Sequence, residues 1–217
     1  MQYKLLTSSE DLQYLTKFIN AKHTPTYLQG IHFAPNGDAV ATDGHHMAVL
    51  ARSFTWTAES PESFTNIAEP DLTIILDSDA VKLIKQLPAG SVEVSYEPDC
   101  NGNAYNVPVT VKHMLTGIQY KFESSYQAYP DYARIVTDAQ TNYKTCPEHT
   151  SYIALNVDLL QDFTGWHKLL KLKTPDRLRM HMTEKESPIL IDNSNQDRLI
   201  GVLMPIKWDA VAKHVGD

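Results

Sequence analysis

Cysteine is nearly absent from this 217-residue chain. Cys100 and Cys146 are the only two, too few for a disulfide framework and in keeping with a reducing, cytoplasmic setting. Positive charge is short as well. Nineteen Lys and Arg face 26 Asp and Glu, a net charge of −7. That balance excludes a chain coated in nucleic acid, since phosphate contacts need clustered basic residues, but it allows one confined basic surface. No apolar run approaches the ~20 residues of a membrane helix, so no membrane partner is expected. The opening "MQYKLLTSSEDLQ" has neither the basic flank nor the apolar core of a signal peptide. The catalytic loops are missing too: no G-x-S-x-G elbow, no Walker A, no G-x-G-x-x-G and no H-E-x-x-H. No cofactor is expected.

What is present is a pattern that occurs three times. "YKLLTSSEDLQYLTKFI" starts at Tyr3, "LTIILDSDAVKLIKQL" at Leu72 and "YIALNVDLLQDFTGWHKLL" at Tyr152. Each opens with a short β-prone apolar run, then a helix-capping residue, then acids, then apolar residues at helical spacing. The stripes are Leu12, Leu15, Phe18 and Ile19; Ala80, Leu83, Ile84 and Leu87; and Leu159, Phe163, Trp166 and Leu170. After each helix the period drops to two and turn residues appear: Pro35-Asn36-Gly37-Asp38, Asn101-Gly102-Asn103, then Glu184-Lys185-Glu186 and Asn193-Ser194-Asn195. The repeating unit is one strand, one helix and about three strands. The expected fold class is α+β, three βαβββ units with helices on one face of antiparallel sheets. The polar, Pro-bearing stretches 57–70 and 137–150 read as joints. They divide the chain into a domain of two units (1–56 and 71–136), then a linker and a third, half-domain unit within 137–217.

The segment "VATDGHHMAVLAR", residues 40–52, looks at first like an active site. Asp43-Gly44 is better read as a tight turn, with Gly44 in a conformation other residues resist. His45 and His46 then fall on opposite faces of the next strand, a poor arrangement for joint ligation of one metal.

Three segments together resemble the bacterial sliding clamp, the β subunit of DNA polymerase III. "ATDGHHMAVL" (41–50) is similar to that family's "TDGHRLA", "YPDYARIV" (129–136) to its "FPDYRRVLP", and "VLMPIK" (202–207) to its closing "VVMPMRL". They stand in the family's order, and the resemblance covers essentially the whole chain. The resemblance implies the clamp fold and no enzymatic activity. It implies a ring or part-ring on duplex DNA that tethers a DNA polymerase and a clamp loader by their short linear peptides. The peptide pocket implied by the resemblance comprises Leu28, Thr42, Gly44, His45, Met47, Pro130, Ile135, Val202, Leu203, Met204 and Pro205. His46 stands where the family has Arg, which removes a fork-like donor. The chain matches the family's middle domain and the final half of its last one. So short a version is expected of a phage, plasmid or mobile element, and three units close a ring only as a homo-oligomer.

Lys17, Lys22, Lys82, Lys85, Lys168, Lys171 and Lys173 lie late in or after the three helices. In a clamp they would be weak, diffuse phosphate contacts facing DNA. They equally suit the negative ends of helix dipoles. Two other readings remain. One is a clamp-like decoy or regulator that binds replication proteins without encircling DNA. The other is a metal-dependent hydrolase using Asp43, His45 or His46, with Cys146, His149 or His167 as further ligands. Beyond the resembling segments, Trp208 covers the pocket or packs on the sheet.

Overall fold

A computed structural model describes residues 2–20, 28–59, 74–97, 107–124, 129–145, 155–165, 178–181, 187–193 and 196–205. Within them the chain runs β1 (Gln2–Ser8), α1 (Ser9–Leu15), β2 (Ile31–Phe33), β3 (Ala39–Thr42), β4 (His46–Leu50) and β5 (Trp56–Glu59). It continues β6 (Ile74–Leu76), α2 (Ser78–Ile84), β7 (Ser91–Tyr96), β8 (Pro108–His113) and β9 (Gln119–Glu123). The last elements are α3 (Tyr132–Thr145), α4 (Val157–Asp162), β10 (Leu178–His181), β11 (Ile189–Asn193) and β12 (Gln196–Leu203). The pairings β1–β5, β1–β7, β2–β3, β2–β6, β7–β8, β8–β9, β10–β11 and β11–β12 are all antiparallel.

The three repeat helices begin for one local reason. The first amides of a helix lack intrahelical acceptors, and a short polar side chain just before the helix supplies one. Ser8 Oγ accepts the Asp11 amide at 3.0 Å, Asp77 Oδ1 accepts the Asp79 and Ala80 amides at 3.0 Å, and Asn156 Oδ1 accepts the Asp158 amide at 3.0 Å. Glu10, Asp11, Asp79 and Asp158 then lie in first turns, where negative charge meets the positive helix end.

The chain divides into two compact units, residues 1–43 with 49–129, and residues 44–48 with 130–217. In the first, strands are ordered β5-β1-β7-β8-β9 in one sheet. β1 pairs with β7, the first strand after the second helix, and β6 pairs with β2, the first strand after the first helix. Each copy's leading strand thus pairs with the other copy, which makes the two repeats one body. Alternation does the rest: Leu5, Val94 and Val111 lie in one cross-strand row, all buried. Of the helix stripes, Leu12, Leu15, Phe18, Ala80, Ile84 and Leu87 are buried, whereas Ile19 and Leu83 are half-buried. Gln13 ties the two helices together, its Nε2 donating to the Leu87 carbonyl at 2.7 Å and the Ile84 carbonyl at 3.2 Å. The turn expected at residues 35–38 forms, with Gly37 at φ +88° and the Ala34 amide donating to the Asp38 carbonyl at 2.8 Å. The turns at 101–103 and 184–186 lie outside the described residues, as do 194–195 of the last one.

In the second unit β10-β11-β12 form a meander, and α3 packs on β11 and β12. Helix α3 corrects the reading of 137–150 as a linker, because it continues to Thr145. Its buried residues Tyr132, Val136 and Ala139 fall one helical turn apart, a sparse stripe hidden among Gln, Thr and Asn. Helix α4 is shorter than its apolar stripe predicts. It stops at Asp162, and Gly165 at φ +91° turns the chain out of the helix. Trp166 and Leu170 lie outside the described residues, as does Trp208. Among the described residues no helix is long and apolar enough to cross a membrane.

Candidate functional site

The segment 40–52 is built as its residue types dictate. Gly44 adopts φ +89°, so the chain reverses at Asp43-Gly44. His45 is exposed and His46 is buried, on opposite sides of the chain. His46 is the first residue of β4, a strand buried at all five positions. Its Nε2 lies 3.2 Å from Asp162 Oδ2 at the end of α4, and its ring meets the Phe163 edge at 6.1 Å between centroids. This polar contact spans 116 residues of sequence. The one sequence hint is that an imidazole stands in an otherwise apolar strand, where a buried polar group needs a hydrogen-bond partner.

Of the residues assigned to a peptide pocket, Leu28 and Thr42 lie in the first unit and both are buried. The others lie in the second. There the Met204 amide donates to the His45 carbonyl at 2.9 Å, joining the end of β12 to the 44–48 segment. Met47, Val202 and Leu203 are buried. Met204 is 39% exposed, His45 and Gly44 are exposed, and Pro205, Pro130 and Ile135 are half-buried. Pro130 and Ile135 are placed by the start of α3. The Pro130 carbonyl accepts the Tyr132 amide at 2.7 Å, and Asp131 caps the helix by accepting the Arg134 amide at 3.0 Å. The surface-accessible members are therefore a Met, two Pro, an Ile, a Gly and a His. Apolar and adaptable, they suit an apolar side chain, with the imidazole available to a polar group.

In the first unit, Tyr129 of the "YPDY" segment packs against His32 with its ring tilted by 57°, at 4.4 Å between ring centroids. Its hydroxyl donates to the Val40 carbonyl at 3.5 Å, and burial pushes its ionisation well above the ordinary tyrosine range. Burial lowers His32 from 6.5 to about 4. The folded protein therefore resists a proton that the unfolded chain accepts. Stability is full above pH 6.5 and falls as the pH drops towards 4, by about 3 kcal/mol at most. Urea titrations at pH 7.5 and 4.5 should show this loss, and His32→Gln should flatten the difference between the two.

The lysines divide. Lys17, Lys82 and Lys85 are exposed, while Lys22, Lys168, Lys171 and Lys173 lie outside the described residues. Lys17 Nζ sits 5.2 Å above the Tyr14 ring. Lys82 is bonded to Asp79 at 2.7 Å, and that hydrogen bond raises its pKa above the ordinary lysine value. Among the described residues no three His, Cys, Asp or Glu side chains are grouped to hold a metal. Asp43 is buried while His45 is exposed, and Cys146, His149 and His167 lie outside the described residues.

No family model matches the chain, and no curated protein matches it. Solved structures do. The sliding clamp (DNA polymerase III subunit beta) of Bartonella birtlesii, bound to griselimycin, matches at TM-score 0.56 and 16% identity over 94% of this chain. The DNA polymerase sliding clamp of Pseudomonas aeruginosa matches at TM-score 0.59 and 14% identity, again over 94%. The DNA polymerase III beta subunit of Thermotoga maritima matches at TM-score 0.58 and 12% identity. This chain spans 66%, 66% and 65% of the three, respectively. Likeness of this kind, spread over nearly the whole chain at such low identity, speaks for architecture: the fold is that of the bacterial DNA sliding clamps, the beta subunits of DNA polymerase III.

Proposed function

We propose that this protein is a non-enzymatic sliding clamp homologue that holds a DNA polymerase, or its loader, by a short linear peptide. The carrying observation is the joint between β12 and the "TDGHH" segment. There Met204, tied by its amide to the His45 carbonyl, leaves its side chain part-exposed beside an exposed imidazole. The likeness to clamps supports the reading. Two thirds of a clamp's length is a matter of fold, and the tether itself is our proposal. In it the peptide's apolar side chains rest on Met204, Pro205 and Ile135, and His45 meets a polar or acidic anchor. Val202, Leu203 and Met47 support them from the core. Encirclement of duplex DNA is part of the proposal, by a homo-oligomer whose Lys17, Lys22, Lys82, Lys85, Lys168, Lys171 and Lys173 make weak phosphate contacts. The protein works in the cytoplasm.

The test is fluorescence anisotropy with a labelled peptide from a replicative polymerase tail, titrated with wild-type protein and Met204→Asp. Saturable binding is expected, and the aspartate should weaken it about tenfold or more, because a carboxylate beside an apolar side chain must be desolvated. Absence of wild-type binding, or a variant that binds equally well, refutes the pocket. One observation favours a second reading, a regulator that binds replication proteins without DNA: the Lys82 ammonium is already paired with Asp79. Duplex binding with a steep salt dependence would exclude that reading.

A further inference from the structure

Strand β12 ends at Leu203, and the two residues after it, Met204 and Pro205, belong to the surface assigned above to a peptide. Met204 is fixed there by its amide, bonded to the His45 carbonyl, while its side chain stays part-exposed. Pro205 is half-buried. Helix α3 packs on β12 in the same unit and carries Ile135, half-buried as well. The chain therefore leaves its last strand from within its own candidate binding surface.

The residues that follow, "IKWDAVAKHVGD" (206–217), lie outside the described residues, and their sequence is not that of a spacer. Trp208, Val211, Ala212 and Val215 recur at helical spacing, with Lys207, Asp209, Lys213 and His214 between them. An apolar stripe needs a surface to bury against. One this short gains little from helix formation alone, since isolated helices under ~12–15 residues are marginal in water. Tryptophan is also among the side chains that dominate binding energy where a ligand fills an apolar pocket.

Distance chooses the surface. Trp208 follows Pro205 by three residues, so their Cα atoms are at most about 11 Å apart. The indole cannot leave the neighbourhood of Met204. A ligand on so short a tether is presented at an effective concentration of about millimolar, which a partner dissolved in the cell does not match. Weak contacts then suffice to keep the surface covered. Met204 suits the ring in two ways: its thioether is attracted to aromatic edges, and its unbranched chain fills gaps around an indole. Taking Met204, Pro205 and Ile135 as the peptide site already proposed, we propose that Trp208 and the apolar stripe behind it occupy that site in cis. A polymerase or loader peptide then binds only by displacing them. The apparent affinity of every partner falls in proportion to the fraction of molecules whose site is open, so the tail sets a threshold that weakly binding peptides do not pass.

Anisotropy of the full chain with the labelled polymerase peptide tests it, in wild type, Trp208→Ala and Trp208→Phe. Trp208→Ala should bind the peptide about fivefold more tightly than wild type, or better, and Trp208→Phe should fall between the two. A synthetic peptide of residues 206–217, added to Trp208→Ala, should displace the labelled one. Tryptophan emission gives a readout that needs no partner. The wild-type spectrum minus that of Trp208→Ala isolates Trp208 from Trp56 and Trp166. The same difference taken in a Met204→Asp background should lie further to the red, as the indole moves into water. Equal affinity of wild type and Trp208→Ala overturns the proposal while the peptide site stands. So does a Trp208→Ala protein that melts lower with unchanged affinity, because the ring then packs in the fold and not on the site. Absence of binding by both proteins refutes the peptide site itself, and the proposal with it.

Discussion

Phe163→Ala is expected to cost about 3–5 kcal/mol of folding stability, the range for removing a fully buried aromatic ring. The Phe163 ring is wholly buried just after α4. Its underside is fitted to Gly201 of β12: a Cβ built there would lie 2.3 Å from Cε1, so ring and glycine backbone touch without a gap. Its edge meets His46, which bonds Asp162. Truncation thus opens a void under three elements of the second unit, and tight packing around Gly201 leaves little to collapse into it. Urea unfolding followed by circular dichroism measures the loss. Phe163→Leu, which keeps most of the volume, should recover more than half of it. A loss below about 1 kcal/mol for the alanine would mean that the ring is peripheral.

The position of Phe163 in a helical stripe was legible in the sequence, and its partner was not. Caps, hairpin turns and apolar periodicity are written in consecutive residues, so Ser8, Asp77 and Asn156 announce three helices and Gly37 a turn. The Gly44 turn and the opposed placement of His45 and His46 were readable for the same reason. Pairing between distant segments has no such local code. Nothing near His46 names Asp162, and nothing in β4 says that residues 44–48 group with the second unit while Val49 onward groups with the first. Helix α3 was missed because its burial rests on an alanine and two residues a turn apart, too thin a stripe to outweigh its polar majority. At the candidate site the apolar character of Met47, Val202 and Leu203 was plain. Whether such residues line a surface or fill a core depends on what covers them, and here they are buried.

Gly30→Ala is expected to destabilise the first unit by about 3 kcal/mol, at the upper end for overpacking. A Cβ at this position would lie 2.3 Å from the Leu76 carbonyl oxygen and 2.7 Å from Ile75 Cγ2. The isoleucine can change rotamer, but the carbonyl is backbone and cannot. It belongs to β6, which pairs with β2 through Ile31 opposite Leu76, the residue next to Gly30. Relief therefore requires β2 and β6 to part at one of the two pairings that interlock the first and second repeats. Loosening one strand of that exchange should reach the other, because α1 packs on β1, α2 packs on β6, and the two helices are linked through Gln13. The control is Gly117→Ala. Gly117 has φ +69° but open space around its Cα, so only backbone strain of about 1 kcal/mol is expected there. If the two alanines cost the same in urea titrations, the close approach of Gly30 to β6 is not what holds the repeats together. If Gly30→Ala costs the larger amount, the two repeats fold as one cooperative body whose weakest tolerance is a single missing methyl group.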